Sequence, residues 1–362
     1  MLDGEPADRV LDRTLRANRS FSAAQRQVTA EALFGVGLWR RRLRAQTTPD
    51  ASPATLLAAL VADLGASPDI AHLLDGALQL TPLSDWRDEW SVPSWLADEL
   101  SAAVGDEAPR LAEALNSPGP VCLRPNARRT STQALHDALT AAGISTRRGE
   151  WATDALICTS PRPNILGLEL FHQGHFEVQD EGSQLAGALL PFPPGATVLD
   201  LCAGAGGKTL QLASRGAQVH AYDVDRAKLE RLRQRTARAG VAVSIHHQLP
   251  TREFDAVFID APCSELGALR RGPDLRWRMD PSTLDAWCET NAALLDTAFT
   301  RTRPGGHIAY VTCTFRRAEN ESVVDAFLAR TPSAKRVGND VALFPHRHGT
   351  DGFYAALLQR AV

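Results

Sequence analysis

The sequence predicts an α/β protein, and three observations carry that reading. From about residue 181 onward, apolar strand-like runs alternate with helical stretches, the pattern of a parallel sheet covered on both faces. The first run ends in "LDLCAGAGGKT", residues 199–209, where an acid precedes a glycine-rich loop that opens a helix. Two later runs end in "FIDAPCSELG" and "YVTCTFRRAEN", and each brings a cysteine to the strand end, where sheets of this class bind their ligands.

In chain order, residues 6–46 read as helices, because Val10, Leu11 and Leu15, then Val28, Leu33, Phe34, Val36 and Leu38, recur near a 3.6-residue period. Ser20 and Ser22 are the cap candidates between them. "PATLLAALVADLG" and "PSWLADELSAAV" continue the helical pattern, which defines an all-α domain over residues 1–105. Between residues 85 and 113 there are eight acids against two arginines; between 121 and 148 there is one acid against five. A boundary belongs there, followed by a small α/β domain over 107–180 built from the strand "GPVCLRPN", the helix "TSTQALHDALTAAG" and the strand "DALICTS". The third domain, 181–362, has strands at "ATVLDLCAG", "AQVHAYDVD", "VAVSIHH", "FDAVFIDAP" and "GGHIAYVTC", with helices at "KTLQLASRG", "RAKLERLRQRTARAG", "PSTLDAWCETNAALLDTAFTRT" and "RRAENESVVDAFLART".

Composition bounds the function. With 362 residues and 44% apolar content, the chain can bury several cores. No apolar run approaches the roughly 18 residues of a membrane span. "MLDGEPADRV" lacks a signal peptide's basic start and apolar centre, so a cytosolic protein without membrane partners is expected. Six cysteines are scattered without a CxxC pair or zinc-ligand spacing, so neither a disulfide framework nor a metal is expected. The ordinary role of each is a small buried apolar residue. Net charge is −3, so nucleic-acid binding would need local patches. Arginine supplies 36 of the 39 basic residues and clusters at Arg40, Arg41, Arg42 and Arg44, at Arg124, Arg128 and Arg129, and at Arg270, Arg271, Arg276 and Arg278. Forked, planar donors of this kind suit phosphates and bases, although for any single cluster a bias toward arginine codons with solvated charge on helix faces is the better account.

The glycine-rich loop fits neither common phosphate-binding motif. A Walker A loop needs glycine where Cys202 stands, and a dinucleotide GxGxxG needs glycine at Thr209. What remains is Asp200 at a strand end beside a loop with bare backbone, which suits a cationic ligand group. Asp223, at the end of the next strand, is placed to accept from ribose hydroxyls.

These motifs, "LDLCAGAGGKT", "AYDVD", "IDAPCSELGALRRGPDLRW" and "YVTCTFRRAEN", resemble in order and spacing those of the Sun/Fmu (Nop/Sun) group of RNA cytosine-5 methyltransferases, which includes bacterial 16S ribosomal RNA enzymes. "FHQGHFEVQDEGSQLAG" and "GTDGFYAALLQR" extend the likeness, which covers residues 107–362; the first helices resemble the NusB-like RNA-binding domain of some members. The resemblance implies a class I, Rossmann-like methyltransferase domain preceded by a small α/β RNA-binding domain. It implies S-adenosylmethionine as cofactor, held by Asp200, Cys202, Ala203, Gly204, Ala205, Gly206, Gly207, Lys208, Asp223 and Asp260. Two departures stand out: Ala205 replaces the family's usual proline, which frees a backbone torsion, and "IHHQLP" lacks the acid usual near the adenine, leaving Gln248 as a neutral substitute.

Methylation of cytosine C5 needs covalent help, in which a thiolate adds to C6 and makes C5 nucleophilic. Both Cys263 and Cys313 follow strand ends, and the pattern alone does not choose between them. The resemblance assigns attack to Cys313, product release to Cys263 and cytosine binding to Asp260. Lys208, a rare lysine at a helix start, is a candidate site group, its alternative being a surface lysine in the first turn. By the same resemblance Arg270, Arg271, Asp274 and Arg276 lie against the RNA, an ordinary solvated loop being the competing reading. The function implied is cytosine-5 methylation of RNA, 16S rRNA first; transfer RNA, or a non-catalytic assembly role, is the alternative.

Overall fold

A computed structural model describes residues 5–65, 78–161 and 163–362 and divides the chain into two units. One holds residues 1–118 together with 269–281, and the other holds 119–268 and 282–362. The expected helical domain at 1–105 thus continues to 118 and takes in a segment from far along the chain. Its positions 1–4 and 66–77 lie outside the described residues, as does position 162 of the small α/β domain.

The first unit is helical, with helices at Ala7–Ala17, Ala23–Gln46, Pro53–Leu64, Ser94–Val104 and Ala108–Asn116. Ser22, rather than Ser20, starts the second helix, in a capping box with Gln25 that satisfies two otherwise orphaned N–H groups. Ser52 caps the third, with Pro53 at its first position and Gly65 closing it in the left-handed region. Val36, Leu43, Leu56, Ala59 and Leu60 form its core. No helix among the described residues is long and apolar enough to cross a membrane.

The second unit contains two sheets. The smaller has β1 (Cys122–Pro125), β2 (Thr146–Arg148), β3 (Leu156–Cys158) and β4 (Phe176–Val178) in the antiparallel order β2-β3-β1-β4. Ser131 caps the expected helix, Thr132–Ala141. β2 and β4 are not legible as strands, being three-residue edge strands that carry charge, two arginines in β2 and a glutamate in β4.

The larger sheet is built from β5 (Thr197–Asp200), β6 (Gln218–Tyr222), β7 (Ser244–His246), β8 (Phe254–Asp260), β9 (Thr302–Thr312), β10 (Ala334–Arg336), β11 (Val341–Leu343) and β12 (Phe353–Arg360). Its order is β10-β12-β9-β8-β5-β6-β7, with β11 paired to β12. β5 to β9 are parallel, as expected, whereas β12 runs antiparallel to β9, β10 and β11, so the sheet is mixed. The crossover after β9 skips one position to place β10, and the returning chain fills the gap with β12. Two apolar clusters cover the faces, one around Val198, Val219, Phe258 and Val311, the other around Leu199, Val257, Ile259 and Tyr310. Alternate residues of each strand serve opposite faces, so the strand ends are left for polar chemistry.

Candidate active site

Four strand ends converge on one edge of the large sheet. β5 delivers Asp200 and the glycine loop, β6 is followed by Asp223, β8 ends at Asp260 before Cys263, and β9 ends at Thr312 before Cys313. β5 lies between β6 and β8, and β9 pairs with β8, so the motifs that are far apart in sequence become neighbours.

The glycine loop is tied down rather than loose. The Asp223 carboxylate accepts from the Gly204 N–H and from the Asp225 N–H, each at 2.8 Å. The Arg235 guanidinium donates to the Ala205 carbonyl at 3.0 Å and to Glu177 at 2.8 Å. The freedom expected from replacing proline with Ala205 is therefore removed by a side chain reaching in from the helix Arg226–Ala239. Gly206, with φ of 96°, turns the chain into the helix Gly207–Ser214, and a side chain there would strike Leu232.

Asp200 is 1% exposed; its Oδ2 accepts from the Thr209 hydroxyl at 2.6 Å, while its Oδ1 has no partner. Burial, only partly offset by the Thr209 bond, pushes its carboxyl up to about 7. The loop fits an adenosyl-sulfonium cofactor on two counts. A buried carboxylate oxygen without a donor matches an ammonium or sulfonium group, and Cβ atoms at Gly204 and Gly207 would meet nothing within 4 Å, leaving a bare cradle. Cys202 packs against the apolar cluster beneath the loop, and burial pushes its thiol well above the ordinary range. Ala203 is buried, its N–H bound to the Tyr222 carbonyl at 2.9 Å. Gln248 is exposed in the segment after β7.

Lys208 is not a surface lysine. It is 8% exposed, and its ammonium donates to both Asp260 oxygens at 2.8 Å while lying 5.2 Å from the Phe353 ring centre. Asp260 keeps about a third of its side chain exposed, so the pair holds a carboxylate in fixed orientation with a face open to a ligand.

The Cys263 and Cys313 sulfurs are 3.5 Å apart. The hydrogen bond with Cys263 is the main cause of a Cys313 thiol pushed well above the ordinary range, followed by burial and the charges of Cys263, Asp260 and Glu265. A lattice of bonds locks the two cysteine loops together. The Gly267 N–H donates to the Cys313 carbonyl at 3.0 Å, the Ser264 and Thr314 hydroxyls are 2.9 Å apart, and the Ser264 N–H donates to the Glu319 carboxylate at 2.8 Å. Glu319 is fully buried beside Arg316. Its part was not legible in "TCTFRRAEN", although an acid within an otherwise apolar and basic motif is the available signal.

The arginine clusters fare differently. Arg276 does not face a nucleic acid: it is 1% exposed, donates to Asn116 Oδ1 at 2.7 Å and to the Leu115 carbonyl at 3.2 Å, and burial lowers it to about 10. This corrects its expected place against RNA, because a guanidinium enclosed by the helical unit has no face for a phosphate. Asp274 is half-buried and already engaged, accepting from the Ala7 N–H at 3.2 Å and from Arg278 at 2.9 Å. Arg270 is half-buried and Arg271 exposed. Arg124 is 5% exposed against Gln179, while Arg128 and Arg129 donate to the Ala213 and Ala239 carbonyls. Those two cap the C-terminal turns of helices that flank the glycine loop. Among the described residues no three His, Cys, Asp or Glu side chains cluster to hold a metal.

Comparison with known proteins identifies the family. Residues 188–359 match the profile of the family described as 16S rRNA methyltransferase RsmB/F, and residues 92–164 match the RsmF/B-like ferredoxin-like domain. Ribosomal RNA small subunit methyltransferase B of Vibrio cholerae is 34% identical over 283 residues, 74% of this chain and 65% of the relative. The chain thus spans about two thirds of that relative's length. The Klebsiella pneumoniae protein of the same name is 30% identical over 92% of this chain and 83% of its own. A methyltransferase homologue from Pyrococcus horikoshii superposes with a TM-score of 0.67 at 26% identity, over 77% of this chain and all of that one. The chain belongs to the RsmB/F family of 16S rRNA methyltransferases, S-adenosylmethionine-dependent enzymes that methylate RNA cytosine at carbon 5.

Proposed function

We propose that this chain methylates carbon 5 of a cytosine in 16S rRNA through a covalent adduct with Cys313. The observation that carries the reading is the pair of thiols 3.5 Å apart at the ends of neighbouring strands, beside a carboxylate oriented by a buried lysine. The Asp260 carboxylate accepts from the exocyclic amino group of the cytosine, and Lys208 keeps it turned to that edge. Cys313 rests as a thiol. Entry of the base parts the two sulfurs and removes the main cause of the raised thiol, and the Cys313 proton passes to solvent, which leaves the thiolate. Sulfur then forms a bond to cytosine C6, and the electron pair of the C5–C6 double bond becomes available at C5. S-adenosylmethionine, when bound, supplies the methyl group that C5 takes. A base then removes the C5 proton, the double bond reforms and Cys313 is expelled, with Cys263 assisting release. The glycine loop carries the cofactor, with Asp200 toward its cationic half, Asp223 on the ribose and Gln248 near the adenine. The small α/β domain and the helical unit serve RNA binding, in a reducing cytosol that keeps the six thiols free.

Substitution of the two cysteines separates their roles. Cys313→Ala abolishes methyl transfer from labelled cofactor to 16S rRNA and forms no adduct. Cys263→Ala accumulates protein cross-linked to RNA that survives denaturing electrophoresis. An adduct that accumulates in Cys313→Ala instead reverses the assignment, and full methylation by both variants refutes covalent catalysis. Bisulfite sequencing of ribosomal and transfer RNA, with and without the gene, distinguishes a 16S target from a transfer RNA target; wild-type protein that labels neither refutes the enzymatic reading.

A further inference from the structure

The fold spends most members of the three arginine clusters on its own architecture. In the first cluster, Arg42 pairs with Asp63 and Arg41 with Asp88, the latter at 2.6 Å. Arg40 and Arg44 remain, one turn apart on the helix Ala23–Gln46, with no carboxylate partner among the described residues. The Arg40 guanidinium rests on the Trp277 ring, 4.1 Å from its centre. Trp277 comes from the segment 269–281 that the helical unit takes in. It is carried there by the burial of its neighbour Arg276.

Arg40, Arg41, Arg44, Asp88, Ser94 and Trp277 line an open cleft of about 550 Å³. Arg41 already neutralises Asp88, so the cleft keeps a surplus of positive charge. Like charges one helical turn apart repel, and the Arg40 charge is further disfavoured, first by burial and then by Arg44. A phosphate bridging both guanidiniums relieves that repulsion and matches their forked donors. A guanidinium plane backed by an indole is also a surface on which an unpaired base stacks.

We infer that this cleft is an RNA-binding site separate from the cysteine site, taking backbone phosphate on Arg40 and Arg44 and an unpaired base on the Arg40–Trp277 stack. The inference rests on the reading of the chain as an RNA methyltransferase, and it assigns Arg40, Arg44 and Trp277 a part that Arg276 does not play.

Fluorescence anisotropy of the full chain on a labelled 16S rRNA transcript, followed over a potassium chloride series, tests it. Losing the bridged phosphate in Arg40→Gln/Arg44→Gln makes the slope of log affinity against log salt shallower by about 0.7–0.9 units. Arg13→Gln/Arg16→Gln removes two charges from the exposed face of another helix of the same unit and leaves the slope unchanged. Arg44→Glu, at an exposed position, gives a shallower slope by about one unit or more even if the double variant folds poorly. Trp277→Phe keeps a ring and weakens binding less than Trp277→Leu. A wild-type slope in both Arg44→Glu and the folded double variant overturns the proposal, as does equal loss in the Arg13/Arg16 control. Displacement of the transcript from this cleft by inorganic phosphate alone at equal concentration also overturns it, since the cleft is then a simple anion site. Methyl transfer by the wild-type protein is measured in parallel. Its absence counts against the enzymatic reading, whereas an unchanged slope beside normal wild-type activity counts against the cleft alone.

Discussion

Glu319→Ala should loosen the two cysteine loops from each other, and the structure sets the size of the effect. The Glu319 carboxylate is fully buried, accepts from the buried Ser264 N–H at 2.8 Å and lies 3.4 Å from the Arg316 guanidinium. Truncation leaves the Ser264 N–H without its charged acceptor, a loss of roughly 1.5–3 kcal/mol. It also takes a carboxylate from the buried Arg316; Asp285 remains at 2.8 Å, so this part falls below the roughly 3–5 kcal/mol of a fully broken buried pair. Together the cost is about 3–5 kcal/mol, which lowers the melting temperature by roughly 10 °C for a unit of this size. Glu319→Gln keeps an acceptor for Ser264 and costs about half as much. Circular dichroism melts measure the stability. Single-turnover adduct formation measures the catalytic effect, with kcat falling while the cofactor KM holds, because Glu319 touches the cysteine loops and not the glycine loop. Glu319→Gln recovering both readouts in part is the signature of positioning. A melting temperature within about 2 °C of wild type, together with an unchanged adduct rate, would refute the reasoning.

Two further predictions concern the cofactor. Asp223→Ala removes the acceptor for the Gly204 N–H as well as the ribose acceptor, so calorimetry should show S-adenosylmethionine binding weakened by at least roughly 1.5–3 kcal/mol; an unchanged dissociation constant removes Asp223 from the site. Cofactor affinity should also depend on pH through Asp200, whose carboxyl is pushed up to about 7 in the free protein. A cationic ligand favours the carboxylate, so binding below about pH 7 must first expel a proton. The dissociation constant then rises up to about tenfold per pH unit as pH falls, and is flat above pH 7. Asp200→Asn should abolish this dependence, and a wild-type profile flat from pH 5 to 8 refutes it.

Much of the catalytic domain was legible because its signals are local. Buried parallel strands read as apolar runs, and "LDLCAGAGGKT", "IDAPCSELG" and "YVTCTFRRAEN" each mark a strand end by the abrupt change from apolar residues to small, polar and thiol residues. The antiparallel course of β12 was not legible, since an apolar run carries no direction. Nor were β2 and β4, whose three residues give too short a period to detect.

The sequence by itself determined which chemistry the protein carries: two thiols and an acid at the ends of strands and a lysine at a helix start, next to a loop of bare backbone. Only the tertiary structure decided how those groups act on one another. Strand order sets β8 beside β9 and so brings the Cys263 and Cys313 sulfurs to 3.5 Å across 50 residues of chain. The same folding buries Lys208 against Asp260 and Glu319 beneath both loops. It also decided which arginines are available. Arg276 and Trp277 are adjacent in sequence, yet the first, expected against RNA, is enclosed, and the second lines an open cleft with Arg40. Burial and pairing depend on which distant segments meet, and the local pattern of a chain does not encode that meeting.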